Sequence, residues 1–112
     1  MEESEAIKLL AEWKKINSPQ EADNLLFYLS SWISDKEEEL TEVDGMVAQA
    51  RLVLIQEHQS VAKADAYLEC SNLYIRMKQI ERELRKLKSA RSNVNRRYQI
   101  ITNKILQTQR RY

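Results

Sequence analysis

The sequence predicts an all-α protein in which a short N-terminal helix precedes a long, antiparallel, coiled-coil-like helical hairpin, and in which copies of the chain form an oligomer. Three observations support this prediction. Gly and Pro occur once each in 112 residues, so few turn-forming residues are available. Charged residues make up 31% of the chain, as in long solvent-facing helices. Apolar residues recur at alternating steps of three and four, the heptad spacing of coiled coils.

The first predicted element is a short amphipathic helix at about residues 3–16. Acidic residues lie at its start and two lysines, Lys14 and Lys15, lie at its end, which is the arrangement that the helix dipole favours. Its apolar face consists of Ala6, Ile7, Leu10 and Trp13.

A second helix is predicted at about residues 19–58. Ser18 is its expected N-cap, Pro19 its first residue and Glu21 its capping-box glutamate. Gly45 lies inside it, where a lone Gly costs only about 1 kcal/mol relative to Ala. A heptad seam with one polar member follows the start of this helix: Leu26, Leu29, Ile33, Lys36, Leu40, Val43, Val47, Ala50 and Leu54.

The third predicted helix covers about residues 60–108 and completes one helical domain. The two seams differ in phase near His58 to Ser60, so a turn is expected there and the helices should fold back on each other. One uninterrupted helix with a stutter remains the alternative, because this stretch contains neither Gly nor Pro. The second seam comprises Ala66, Cys70, Leu73, Met77, Ile80, Leu84, Leu87, Arg91, Val94, Tyr98, Ile101 and Ile105.

Charge is divided unevenly along the chain. Residues 1–45 contain 4 basic and 12 acidic residues, a net charge of −8, whereas residues 46–112 contain 14 basic and 5 acidic residues, a net charge of +9. Such an asymmetry is typical of a protein with a polyanion-binding half beside an acidic half. The acidic run at residues 35–39 is expected to be a solvated face.

The residue types that catalysis requires do not converge in this sequence, so we expect a protein that is not an enzyme and needs no cofactor. His58 is expected to be a solvated turn histidine, and Cys70 a small apolar core residue. One His and one Cys cannot form a closed metal site in one chain. With a single cysteine, no signal peptide and no apolar run of membrane-spanning length, the expected compartment is the cytoplasm, without membrane association.

The third helix has a basic face opposite its seam. At 100° per residue, most of its cations fall within roughly 80° of one direction. This pattern predicts nucleic-acid binding, although the same cations could serve only as a solvated face or pair with the acidic second helix. Tyr98 and Tyr112 lie beside arginines that could help them stack on unpaired bases, but Tyr98 is on the seam and is expected in the core. The face comprises Lys78, Arg82, Arg85, Lys86, Arg96, Lys104, Arg110 and Arg111.

The chain resembles the UvsY-type recombination mediators of T-even phages over most of its length after Pro19. The resemblance includes a long C-terminal helix after Tyr74. The stretches that carry it are Glu21-Ala22 followed by Asn24, an aromatic-rich segment ending in Trp32, and Val47-Ala48-Gln49-Ala50-Arg51-Leu52 after a charged helix. In that family a Lys-Ala-Arg-Leu element contacts DNA through its two basic residues. Here Ala50-Arg51-Leu52 match it, but Gln49 stands where the lysine would be.

This resemblance implies a helical homo-oligomer that binds single-stranded DNA, with a recombinase and a single-strand-binding protein as partners, in a bacterial host cytoplasm if the chain is phage-encoded. The competing hypothesis is a protein interaction module, such as a phage-encoded inhibitor of a host nucleic-acid enzyme or a virion scaffold. The predicted nucleic-acid-binding residues are Arg51, Lys78, Arg82, Arg85, Lys86, Lys88, Arg96, Arg97 and Lys104.

Overall fold

The computed structural model describes residues 1–110, and nearly all of them are helical. No strand occurs in this part of the chain, which confirms the predicted all-α class. The elements are α1 (Glu3–Ala11), a 3₁₀ turn (Trp13–Lys15), α2 (Pro19–His58), α3 (Val61–Glu69) and α4 (Asn72–Arg110).

The chain divides into two compact units. One consists of Met1–Ile33 with the chain from Lys86 onward, and the other is Ser34–Arg85. The sequence predicts one helical domain and contains no signal for this division. In each unit a part of α2 packs antiparallel against a part of α4, so the predicted hairpin is confirmed.

The first unit has a core built from α1, α2 and α4. Leu25 and Leu29 of α2 are fully buried against Val94 of α4, and Ile16 closes the core from the segment after α1. Their burial supplies most of the stability that long helices lack on their own.

In the second unit the core is smaller and comes from α2 and α4 alone. Val43 packs with Met77 and Ile80, and half-buried apolar residues of the two predicted seams surround them. The heptad spacing therefore identified the faces that meet here.

The N-terminal helix is shorter than predicted. The predicted helix at about 3–16 ends at Ala11 and continues only as a 3₁₀ turn. Beyond it Ile16 is extended and 2% exposed, and Arg97 Nε donates to its carbonyl oxygen at 2.8 Å. A helix continued to this point would carry that carbonyl and side chain away from their partners.

The start of α2 and the turn after it agree with the sequence. Glu21 N–H donates to Ser18 Oγ at 3.4 Å, so Ser18 is the N-cap and Pro19 the first helical residue. The turn near His58 is confirmed, because Gln59 adopts the left-handed conformation with φ of 52° and Ser60 caps α3. The stutter alternative is therefore wrong.

The third predicted helix, at about 60–108, is wrong as a single element. It is broken between α3 and α4, where Ser71 Oγ accepts the Tyr74 N–H at 3.2 Å and donates to the Leu68 carbonyl at 2.6 Å. Ser71 thus caps a new helix. Cys70, predicted to lie in the core, is exposed at this break, and so is Ala66 in α3.

Gly45 lies in an unbroken part of α2, and nothing lies within 4 Å of the position that a Cβ would occupy. We expect Gly45→Ala to raise the free energy of unfolding by about 0.5 to 1 kcal/mol, because Ala loses less backbone entropy in a helix. Thermal melting followed by circular dichroism would measure this. A lower melting temperature would show that α2 requires the glycine.

Leu84 of α4 is 7% exposed, at the middle of the second seam. We expect Leu84→Asp to lower the free energy of unfolding by several kcal/mol, because it leaves a charge in apolar surroundings. Leu52→Asp is the matched control, since Leu52 of α2 is 61% exposed. Equal melting of the two variants would contradict the burial of Leu84.

Candidate nucleic-acid interface

The helix α4 carries most of the cations that the sequence predicted for nucleic-acid binding. Its only acidic residues are Glu81 and Glu83. Of the predicted residues, Arg51 lies on α2 and the others lie on α4. Whether a cation is available to a phosphate depends on what it already contacts within its unit.

Two of the predicted cations in the second unit are paired within the fold. Arg51 Nε donates to Asp65 of α3 at 2.9 Å, and this bond raises the pKa of the guanidinium. Lys78 Nζ lies 3.4 Å from Glu81 and 5.4 Å from the centre of the Tyr74 ring. The bond to Glu81 raises the pKa of Lys78.

Another pairing in this unit joins α2 to α4 through charged side chains. Lys36 is the polar member of the first seam, and its Nζ lies 2.6 Å from Glu83 and 3.3 Å from Glu39. Glu39 also accepts a hydrogen bond from Arg76 at 3.0 Å. The hydrogen bond to Glu83 raises the pKa of Lys36. The Lys36 ammonium and the Arg76 guanidinium together lower the pKa of the Glu39 carboxyl. One acid of the run predicted to be a solvated face is therefore paired across the hairpin.

We expect Glu39→Gln to lower the melting temperature at neutral pH. The pKa of Glu39 is depressed in the folded state, so its contribution is present above the ordinary glutamate pKa and is lost as pH falls through the folded value. The difference from the parent should therefore disappear in strongly acidic solution. Glu38→Gln is the control, because within residues 1–110 Glu38 has no ion-pair partner. An unchanged difference at all pH values would contradict this assignment.

Arg82 and Arg85 are the unpaired predicted cations of the second unit. Both are exposed, and neither forms an ion pair or hydrogen bond with any residue from 1 to 110. Nothing in the described fold uses their charges.

In the first unit, too, one predicted cation is held by other residues of the fold while others are exposed. Arg97 donates to the Ile16 carbonyl and, at 3.2 Å, to Asn17 Oδ1, so it holds the N-terminal segment on α4. By contrast, Lys86, Arg96 and Lys104 are exposed and have no ion-pair partner in the described part of the chain. Lys88 is exposed as well.

A groove of about 360 Å³ opens between α2 and α4 in the first unit. Its lining residues are Leu26, Ser30, Lys88, Arg91, Ser92 and Asn95. Arg91 lines this groove, although its spacing in the sequence predicted a place on the apolar seam. The signal was there: an arginine at a seam position must find a partner or turn towards solvent, and Arg91 is exposed.

The tyrosines and the histidine that the sequence analysis discussed lie in different surroundings. Tyr98 is half-buried and packs against the first core, as predicted. Tyr112, with Arg111, lies outside the described residues. His58 is not solvated as predicted but half-buried, with its ring stacked on Tyr67 at 4.5 Å between centroids.

Among residues 1–110, no three His, Cys, Asp or Glu side chains are grouped so that they could hold a metal ion. None of the described helices combines the length and apolar content needed to cross a membrane. Comparison with protein-family models, curated proteins and solved structures gave no match. The resemblance to the mediators stays a prediction that rests on the sequence alone.

Proposed function

We propose that the chain binds single-stranded nucleic acid through the exposed cations of α4. The observation that carries this proposal is the division of the basic residues into two groups. Arg51, Lys78 and Arg97 are engaged within the fold, whereas Arg82 and Arg85 of the second unit are exposed without a partner among residues 1–110. Lys86, Arg96 and Lys104 of the first unit belong to the same unpaired group.

Unpaired cations repel one another along a helix, and a polyanion relieves that repulsion. A strand of nucleic acid offers one phosphate per nucleotide, and each neutralised phosphate releases a counterion into solution. A phosphate backbone therefore stabilises the exposed cations of α4 more than the paired ones, which would first have to leave a carboxylate or, for Arg97, the oxygens of Ile16 and Asn17.

The choice of single strands, and the role of recombination mediator with a recombinase and a single-strand-binding protein as partners, comes from the resemblance to the UvsY-type proteins. Exposed apolar side chains support the homo-oligomer that this role includes. Phe27 is 72% exposed, and Ile100 and Leu106 of α4 are nearly half exposed. Large apolar side chains in water are typical of surfaces that another chain covers.

A protein interaction module is the second candidate. In the second unit, the α2 helix exposes acidic side chains that include Glu38 and Glu42, followed by the apolar Met46, Leu52 and Val53. An acidic surface beside an apolar one is suited to a basic protein partner that ordinarily binds nucleic acid. Stoichiometric binding of such a protein, without affinity for oligonucleotides at low salt, would favour this function.

We expect the double variant Arg82→Gln, Arg85→Gln to bind a single-stranded oligonucleotide more weakly while keeping the helical content of the parent. If both cations contact phosphates, the slope of log affinity against log salt should flatten by about 0.7 per contact, roughly 1.4 in all. Fluorescence anisotropy of a labelled oligonucleotide at several salt concentrations would measure the slope, and light scattering of the same samples would report the oligomer.

The control is the variant Lys8→Gln, Lys15→Gln, which loses the same charge outside α4. An equal slope in both variants and the parent would contradict the role of α4.

Arg51→Gln tests the residue carried over from the mediator family. Because Asp65 pairs with Arg51 at 2.9 Å, weaker binding by this variant requires the pair to open when nucleic acid binds.

A further inference from the structure

The groove between α2 and α4 in the first unit exists because the apolar seam is interrupted there. The seam of α4 passes from Leu84 and Leu87 through Arg91 to Val94, and α2 presents Ser30 at the groove, where no large side chain fills the space. Arg91 and Ser30, which both line the groove, cannot form the apolar contact that the neighbouring seam residues make. The seam is therefore open at one point.

The groove contains hydrogen-bond donors and no carboxylate. Arg91 brings positive charge, and the hydroxyl groups of Ser30 and Ser92 and the amide of Asn95 bring further hydrogen-bonding groups. Among residues 1–110, Arg91 has neither an ion pair nor a hydrogen bond. A guanidinium with its donors unused, beside hydroxyl groups and on a partly apolar floor, is suited to an oxyanion.

We propose that this groove binds one phosphodiester group of a single strand, with Arg91 as the bidentate ligand and Ser30 beside the phosphate. The proposal rests on the proposed function and adds a defined position to it. Outer cations such as Arg96 act as point charges that any phosphate can approach, whereas the groove holds one phosphate in a fixed geometry. The nucleic-acid strand is then held at one defined position along the protein.

The first test compares two variants that carry the same added charge. Ser30→Asp places a carboxylate in the groove beside Arg91, where it occupies the phosphate position. Ser31→Asp adds the same charge on the next residue of α2, which is exposed and does not line the groove. We expect Ser30→Asp to bind a single-stranded oligonucleotide more weakly than Ser31→Asp by about tenfold or more, the loss expected for a charge-assisted contact.

The second test keeps every charge unchanged. Arg91→Lys retains the cation but loses the planar fork that a bidentate contact needs, so affinity should fall. Arg76→Lys is the matched control on the same helix, because Arg76 pairs with Glu39 at 3.0 Å and lies outside the proposed binding surface, and it should bind like the parent. Circular dichroism melting accompanies all four variants. If Ser30→Asp fails to fold, the comparison of Arg91→Lys with Arg76→Lys still decides the proposal.

The outcomes separate the groove from the wider function. If the parent binds oligonucleotides and each variant binds like its control, the groove is not a phosphate site, and the proposed function through the outer cations stands. If the parent shows no affinity for oligonucleotides at low salt, both proposals are overturned. Weaker binding by Ser30→Asp and Arg91→Lys than by their controls supports the groove.

Discussion

The antiparallel packing of α2 against α4 is the constraint on which the rest of the structure depends. Each of these helices has one apolar seam, and an isolated helix of this kind is marginally stable in water because its apolar face stays hydrated. The buried contact of Leu29 with the Val94 cluster in one unit, and of Val43 with Ile80 in the other, removes those faces from water. The same packing decides which charged side chains meet, since Lys36 reaches Glu83 only in this register.

Polar residues on the two seams are accommodated in two different ways. Lys36 is one-third exposed and forms ion pairs with an acid of its own helix and an acid of α4, so its charge is compensated inside the protein. Arg91 has no such partner among the described residues, and the α2 residues at its groove, Leu26 and Ser30, are uncharged. A charge on a helix contact that is left without a counterion attracts one from solution. The two positions therefore differ in how the fold compensates their charge, although their sequence pattern is alike.

Much of the fold could be predicted from the sequence because it depends on short-range rules. The cap at Ser18 and Pro19 and the phase change near His58 are local signals, and the structure confirms both. The break at Ser71 was missed because the steps of three and four pass through it undisturbed, as Ala66, Cys70 and Leu73 show. Periodicity records which residues would share a face if the helix continued, and it carries no information on whether the helix does continue. The serine at 71, a good N-cap, was the signal that could have found the break.

The candidate site was less predictable, because the availability of a charge depends on contacts between residues far apart in the chain. The predicted nucleic-acid-binding residues include both Arg97 and Arg96 without distinguishing them. The structure distinguishes them, since Arg97 donates to the carbonyl of Ile16, a residue 81 positions away, and Arg96 does not. Arg51 was likewise proposed from a resemblance that contains no information on Asp65. The number of cations in a segment therefore exceeds the number that a polyanion can reach without competing with contacts of the fold. A cation that is already bound to a carboxylate or carbonyl of the fold must exchange that partner for a phosphate. The net free energy gained is then only the difference between two similar interactions.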